Sequence, residues 1–407
     1  MVATTPPTIR SIAPDEVDRF LAAFSLVFAS ESTEHQLRRA ERRLDPDRSF
    51  VAVARDEVVA TGGAYPFDLA LPGVTPVPCA GVTLISVRPD HRRRGLLTRL
   101  LRTIHDQARE RGEPFAALWA SESPIYGRFG YGPAIPTLEL EARRAHVRFA
   151  VPAPVQDVVL VDTAVARRAL PPIREAVRAH RPGLLSRSEA WWDTLLDDDP
   201  VAERDGAGQR CHALVPGRGY ALYRIAPSWT DGVPDGTVRV RELHATDPEA
   251  AAALWAFVTD LDLTSRIVAG SRPVDDPVLA MIEDTARLTV TQGWPLYLRL
   301  LDLPAALTAR RYAADGQLVL EVSDAHLPDN AGRWELTVEG GVATCRRRDR
   351  APTLSLDTRE LATVVLGGVR VSQLAAAGRI GVHDTDAVAR FDTMLATPLA
   401  PWHEGMF

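Results

Sequence analysis

The chain has 407 residues, more than one ordinary hydrophobic core organises, so two or three domains are expected. A hydrophobic fraction of 46% excludes extended disorder, and a formal net charge of -6 gives no global attraction to nucleic acid. All 47 basic residues are arginine, which rules out a Walker A phosphate loop, since that motif needs a lysine.

Cys79, Cys211 and Cys345 lie far apart and form no CxxC pair, a pattern that suits a reducing cytoplasm. The ten histidines are scattered with no HExxH, so no metal is expected. The N-terminus lacks a basic stretch followed by an apolar core, and no apolar run approaches the roughly 18–20 residues of a membrane span.

In chain order, Ser11-Ile-Ala-Pro-Asp-Glu reads as a helix start leading into Val17–Phe28, with Phe20, Phe24 and Phe28 at helical spacing. Ser49–Ala54 and Val58–Asp68 read as a hairpin through Arg55-Asp56-Glu57, with Gly62-Gly63 permitting a bulge. Cys79–Val87 is an apolar, β-branched strand, and Gly95–Arg109 an amphipathic helix with Leu96, Leu97, Leu100, Leu101 and Ile104 on one face. Phe115–Ala120 is a short buried strand and Tyr126–Pro136 a loop rich in glycine and aromatics. Around Ala150–Pro154 the composition shifts to Pro, Ala and Val, a first candidate boundary.

Gly219–Ile225 and Thr237–Leu243 then read as strands and Asp247–Leu261 as a helix, echoing the first segment as a weak internal repeat. The last third, from near Trp294, runs through strands at Tyr297–Leu301, Gln317–Val322, Trp334–Val338 and Ala343–Arg347. Helices at Thr358–Leu366, Val371–Ala377 and Thr385–Ala396 follow, an α+β order.

The chemistry concentrates in Val82–Thr98. A strand ends at Val87, a basic turn carries Arg92, Arg93 and Arg94, and a helix opens near Gly95. Glycine lets the backbone approach a ligand closely. The first N–H groups of a helix lack internal partners and the dipole is positive there, so this terminus is an anion site, sharpened by three arginines for a pyrophosphate. No GxGxxG follows a strand, which disfavours a dinucleotide fold.

The turn resembles the (Arg/Gln)-x-x-Gly-x-(Gly/Ala) signature of GNAT acetyltransferases, with Arg92, Gly95 and Leu97 at its three positions and Leu97 departing from the usual small residue. In such enzymes a tyrosine after the fifth strand protonates the departing thiolate. Within Ser121-Glu-Ser-Pro-Ile-Tyr-Gly-Arg-Phe-Gly-Tyr-Gly-Pro133, Tyr126 is the choice and Tyr131 the rival.

The resemblance narrows to the Eis (enhanced intracellular survival) family. His91-Arg-Arg-Arg-Gly-Leu-Leu resembles its cofactor loop, and Ile125-Tyr-Gly-Arg-Phe-Gly-Tyr-Gly-Pro-Ala its catalytic loop. Gly219-Tyr-Ala-Leu-Tyr-Arg resembles the central domain, and Leu298-Arg-Leu-Leu-Asp-Leu-Pro-Ala-Ala-Leu, with Arg311-Tyr312, the start of the last one.

The resemblance implies an α/β (α+β) chain of two tandem GNAT-like domains and a sterol-carrier-protein-like domain: catalytic at 1–150, without cofactor at 151–292, and 293–407 with an active-site tail. It implies acetyl-CoA held by Ile85, Val87, Arg92, Arg93, Arg94, Gly95, Leu96, Leu97 and Ser121. It implies Tyr126 as acid and the terminal carboxylate of Phe407 as base, with His403 and Glu404 as neighbouring alternatives. At Val238–Glu249 the arginine–glycine loop is missing and Asp247 and Glu249 place negative charge, so one acetyl-CoA per chain is expected.

The implied activity is N-acetylation of small-molecule amines, aminoglycosides or other polyamines, by direct transfer, because no motif supports an acetyl-cysteine. A lysine acetyltransferase acting on proteins, a non-catalytic acyl-CoA-binding regulator and a lipid carrier are the alternatives. Without lysine the chain cannot acetylate its own lysine side chains. A homo-oligomer, a hexamer of two stacked trimers, and a cytoplasmic setting are expected, with no nucleic acid and no membrane span. Glu31, Glu34, Glu122 and Glu404 are candidate cleft acids. Phe24 and Phe28 either line the cleft or fill the core face of their helix, and Cys79 reads as core.

Overall fold

The computed structural model describes residues 6–29, 33–73, 76–152 and 157–407; Glu31 and the end of the Ala150–Pro154 stretch lie outside them. The chain forms two compact units, Met1–Ala134 with Leu296–Thr397 and Phe407, and Ile135–Pro295 with Pro398–Met406.

The first unit opens with β1 (Thr8–Ser11), α1 (Val17–Phe28), α2 (Glu34–Glu41), β2 (Ser49–Ala54), β3 (Glu57–Leu69), β4 (Val77–Val87), α3 (Leu96–Glu110), β5 (Phe115–Trp119) and α4 (Ser123–Gly127). The β2–β3 hairpin turns on Arg55 and Asp56, both at positive φ (51° and 63°), the backbone a two-residue hairpin needs. The strands lie in the order β1-β2-β3-β4-β5, antiparallel except β4–β5, which α3 connects. Leu96, Leu100, Leu101, Ile104 and Ala108 of α3 pack on Ala60, Val82, Ala116 and Leu118, each large side chain worth about 1.5–3 kcal/mol relative to exposure. Phe20 and Leu21 of α1 pack with Val51 and Val58.

The second unit is built from β6 (Gly132–Arg143), β7 (Val159–Val161), α5 (Thr163–Arg178), α6 (Glu189–Leu196), β8 (Cys211–Val215), β9 (Gly219–Ala226), a small hairpin β10 (Trp229–Thr230) and β11 (Val233–Pro234), β12 (Gly236–Ala245), α7 (Pro248–Thr259), β13 (Thr264–Pro273) and α8 (Val278–Met281). Its order β7-β8-β9-β12-β13 repeats that of β1 to β5, again with only the last pair parallel and joined by a helix. The internal repeat expected from the sequence is therefore present. Thr137–Arg143 of β6 pairs antiparallel with β13.

The C-terminal part of the first unit begins within β14 (Thr289–Leu300), whose end, Leu296–Leu300, pairs antiparallel with β5. It continues through α9 (Leu303–Thr308), β15 (Gly316–Ser323), β16 (Gly332–Glu339), β17 (Val342–Arg347), β18 (Leu354–Asp357), α10 (Thr358–Val364), α11 (Val371–Ala376), β19 (Gly381–Val382) and α12 (Thr385–Leu395). The sheet order is β17-β16-β15-β18-β19, with β15 and β18 parallel.

The Tyr126–Pro136 stretch departs from the loop expected there. Tyr126 and Gly127 close the short helix α4, and β6 already begins at Gly132. Gly130 and Gly132 read as loop residues, yet crowding also demands glycine at both. A Cβ on Gly130 (φ 78°) would overlap the guanidinium of Arg299, and one on Gly132 would overlap Arg359 O and Thr363 Oγ1 of α10. Arg299 is fully buried and its Nη2 donates to Asp324 Oδ2 at 2.5 Å. Gly130→Ala therefore combines a strained φ with a displaced buried ion pair, and a stability loss of about 3–5 kcal/mol is expected in denaturant titration. A loss under about 1 kcal/mol would show that Arg299 has room to move.

Candidate active site

Strand β4 pairs β5 only through Cys79–Gly81 with Phe115–Ala117. Beyond that point a bulge re-aims it. Leu84 is left-handed (φ 52°), and the register with β3 slips between Thr61↔Ser86 and Gly63↔Thr83. The Thr61 hydroxyl fixes the bulge, donating to Leu84 O at 2.8 Å and lying 2.7 Å from Ser86 Oγ. Gly62 leaves the room it needs: a Cβ there would come within 2.6 Å of Ile85 Cδ1. Among the described residues, β4 from Val82 onward has no β5 partner, so an extended ligand can lie along it. Ile85 and Val87 are on this stretch, and the Val87 carbonyl accepts from Arg92 Nε at 3.3 Å.

Past Val87 the chain turns through Arg93 (φ 61°) and Gly95 (φ 75°), two left-handed residues flanking Arg94. Alternating backbone of this kind forms a concave nest of N–H groups that suits an anion. Gly95 has open space around it, so its glycine is required by φ and not by crowding. Helix α3 then starts with no side-chain cap and no acidic residue in its first turn. Arg92, Arg93 and Arg94 are exposed and form no ion pair with any described residue. Three cations without an ion-pair partner among the described residues, beside uncapped N–H groups, fit the pyrophosphate of a coenzyme A thioester. Leu97, the departure from the signature, packs its side chain onto the core, so only its backbone faces the turn. Ser121 is exposed just beyond β5.

The two tyrosines separate cleanly. Tyr131 is fully buried, its hydroxyl 2.8 Å from His105 Nε2, and His105 Nδ1 is 3.2 Å from His326 Nε2. Burial pushes the Tyr131 phenol well above its usual range and both imidazoles down, His326 to about 4. Tyr126 lies ring edge to Tyr131 at 6.0 Å, and its hydroxyl makes no hydrogen bond to any described residue. Burial, then nearby Glu122, raises its phenol, so it stays protonated at neutral pH. Cys79 is fully buried and its thiol is pushed well up, by burial first and then Glu113, which makes it inert as a nucleophile.

Phe407 packs where β4 and β5 part. Its ring lies 5.2 Å from that of Phe67, and a Cβ on Gly81 would come within 3.2 Å of it. Thr83 Oγ1 donates to Phe407 O at 3.3 Å. Sequence reading singled out none of Phe67, Gly81 and Thr83. Their one signal was a glycine inside an apolar strand, which often marks a close approach of other chain. Of the alternatives at the tail, Glu404 is fully enclosed. Burial opposes its charge, but Arg174 and Arg187 outweigh that and hold its carboxyl well below the usual range. Among the cleft acids, Glu34 is spent on Arg38 one turn along α2, and Glu122 is exposed. The rings of Phe24 and Phe28 lie against each other, tilted by 31° with centroids 4.5 Å apart.

Two parallel strands parted by a bulge, with an uncapped helix start beyond them, are those of a GNAT acetyltransferase. Residues 8–134 and 183–300 each match a family described as acetyltransferase (GNAT) domain, and 303–404 match the sterol carrier protein domain. An uncharacterized N-acetyltransferase of Streptomyces avermitilis is 40% identical over 394 residues, 95% of either chain. N-acetyltransferase Eis of Mycobacterium bovis is 38% identical over 351 residues, 84% of either chain. The crystal structure of Eis1 from Mycobacterium abscessus superposes with a TM-score of 0.87 at 31% identity, covering 98% of this chain and 100% of that one.

The chain belongs to the Eis family of GNAT N-acetyltransferases, two GNAT domains followed by a sterol-carrier-protein-like one. Among the described residues no helix is long and apolar enough to cross a membrane.

Proposed function

We propose that this enzyme acetylates primary amines of aminoglycoside-like or other polyamine substrates, using acetyl-CoA in a direct transfer. The observation that carries the reading is the pairing of an unengaged, protonated Tyr126 with a chain terminus packed where β4 leaves β5. Acetyl-CoA supplies an activated acetyl thioester whose sulfur departs as a thiolate.

The nest at Arg93–Gly95, with the first N–H groups of α3 and the three arginines, binds the pyrophosphate. Ile85, Val87 and Ser121 line the pantetheine and thioester. The Phe407 carboxylate takes the amine's proton as the N–C bond forms, and the Tyr126 hydroxyl gives its own to sulfur as the C–S bond breaks. A terminal carboxylate has an ordinary pKa of about 3.5, so it takes the proton through water, with Thr83 fixing one of its oxygens. The buried Cys79 thiol supports transfer without an acetyl-enzyme.

One acetyl-CoA per chain is the corresponding reading of the second domain. There α7 starts on Asp247, whose carboxylate caps Ala250 N, and Arg218 is held by Asp247 and Glu249. A capped, acidic helix start repels a pyrophosphate. The domain roles at 1–150, 151–292 and 293–407, a hexamer and a cytoplasmic setting belong to the same proposed reading, supported by the family likeness.

The test is thiol release from acetyl-CoA with a panel of primary amines. Amine-dependent release is expected, and Arg93→Ala with Arg94→Ala raises the acetyl-CoA KM about 10- to 100-fold, most at low salt. A KM unchanged by both substitutions would place the pyrophosphate elsewhere.

A further inference from the structure

The second domain keeps the parted strands of the first but fills the gap with the chain's own C-terminus. Strand β12 pairs β13 in parallel only over Gly236–Val240. Beyond it, Arg272 of β13 reaches across, its Nη2 donating to Leu243 O at 3.1 Å. Into this gap comes the tail. Ala400 N donates to Asp275 Oδ2 at 2.9 Å and Ala400 O accepts from Arg181 Nη1 at 2.9 Å. Trp402 N donates to Pro182 O at 2.8 Å, and its indole Nε1 to Ser271 O at 2.6 Å. The indole also lies 4.7 Å from the His244 ring and 5.0 Å from the Arg272 guanidinium. Gly183 (φ 93°) leaves room for this contact: a Cβ there would come within 2.5 Å of Ile135 Cδ1 and 2.8 Å of Trp402 O.

Glu404 is then clamped. Arg174 Nε donates to its Oε1 at 2.5 Å, and Arg187 Nη2 lies 2.9 Å from the same oxygen. Arg187 also binds Glu242 of β12 at 2.6 Å, and Tyr220 donates to Glu242 at 3.1 Å. Both carboxylates and both guanidiniums are paired, and all four residues belong to the second unit. Glu404 stands three residues before Phe407, a tether of about 10 Å when extended.

We infer that the β12–β13 gap is a receptor for the chain's own tail, and that Glu404, gripped by Arg174 and Arg187, is a positioning residue for the Phe407 carboxylate. The duplicated domain has exchanged a cofactor cleft for a peptide cleft. The catalytic half of this inference rests on Phe407 acting as base; the receptor half does not.

Two variants test it in the full-length enzyme. Glu404→Gln removes the clamp's charge, and a Gly-Gly insertion after Glu404 keeps every clamp contact but lengthens the tether. Glu404→Gln is expected to speed removal of Phe407 by carboxypeptidase A, followed by mass, about tenfold or more. Both variants are expected to lower kcat about 10- to 100-fold with the acetyl-CoA KM within about twofold. If Glu404→Gln fails to fold, the insertion decides the positioning role, and Trp402→Phe, which loses the indole bond to Ser271 O, takes its place in the carboxypeptidase test with the same expected and overturning results. Unchanged Phe407 release in Glu404→Gln overturns the receptor, and unchanged kcat in the insertion overturns the positioning role. An enzyme fully active with residues added after Phe407 overturns the base reading itself, and the carboxypeptidase result still judges the receptor.

Discussion

Replacing Tyr126 by phenylalanine is expected to lower kcat by about 10²–10³ while leaving the acetyl-CoA KM within about twofold. The ring is buried and the hydroxyl bonds to no described residue, so its loss orphans no partner and the fold stays intact. Only the step that needs a proton on sulfur suffers. Because burial raises the phenol, the alkaline limb of the wild-type rate assigned to this group lies above the ordinary value of about 10. Tyr131→Phe behaves differently. It strips His105 of its 2.8 Å partner in the core, so stability falls along with rate. Equal activity in Tyr126→Phe and wild type, by steady-state thiol release, would remove Tyr126 from the chemistry.

Extending the chain by a few residues after Phe407 is the second large effect. It turns the terminal carboxylate into an amide and leaves the aromatic contact with Phe67 possible. The expected loss in kcat is about 10²-fold or more, since an amide oxygen cannot take up the amine's proton. Glu404 cannot substitute, for its carboxylate is enclosed and bound to Arg174 and Arg187. An extended enzyme with wild-type kcat would place the base outside the terminus.

Much of the architecture was legible because its periodicity is local. Val17–Phe28 and Ser49–Ala54 form with the expected bounds, and the Gly62-Gly63 bulge falls where expected. The arginine–glycine turn was readable for the same reason: strand, arginines, glycine and helix follow one another in sequence. Helix α5 was not read, because Pro171 and Pro172 interrupt it and tandem prolines signal a break. It forms nonetheless, since Asp162 caps it and Ala166, Leu170 and Ile173 bury against Leu214 and Leu222. The β6 start at Gly132 was masked by two glycines: Gly132 serves crowding alone, and Gly130 serves both crowding and a left-handed turn.

The Glu404 clamp lies beyond sequence reading altogether. Arg174, Arg187, Glu242 and Glu404 are spread over 230 residues and share no spacing. Phe407 was placed by resemblance alone, and its partners Thr83 and Gly81 come from a strand more than 300 residues away.

The most direct test of the account is amine-dependent thiol release by the wild-type enzyme, with the product weighed by mass spectrometry. The account predicts one thiol released for each acetyl group gained by a primary amine, with none when every amine is blocked. Tight binding of acetyl-CoA without thiol release for any primary amine would contradict it.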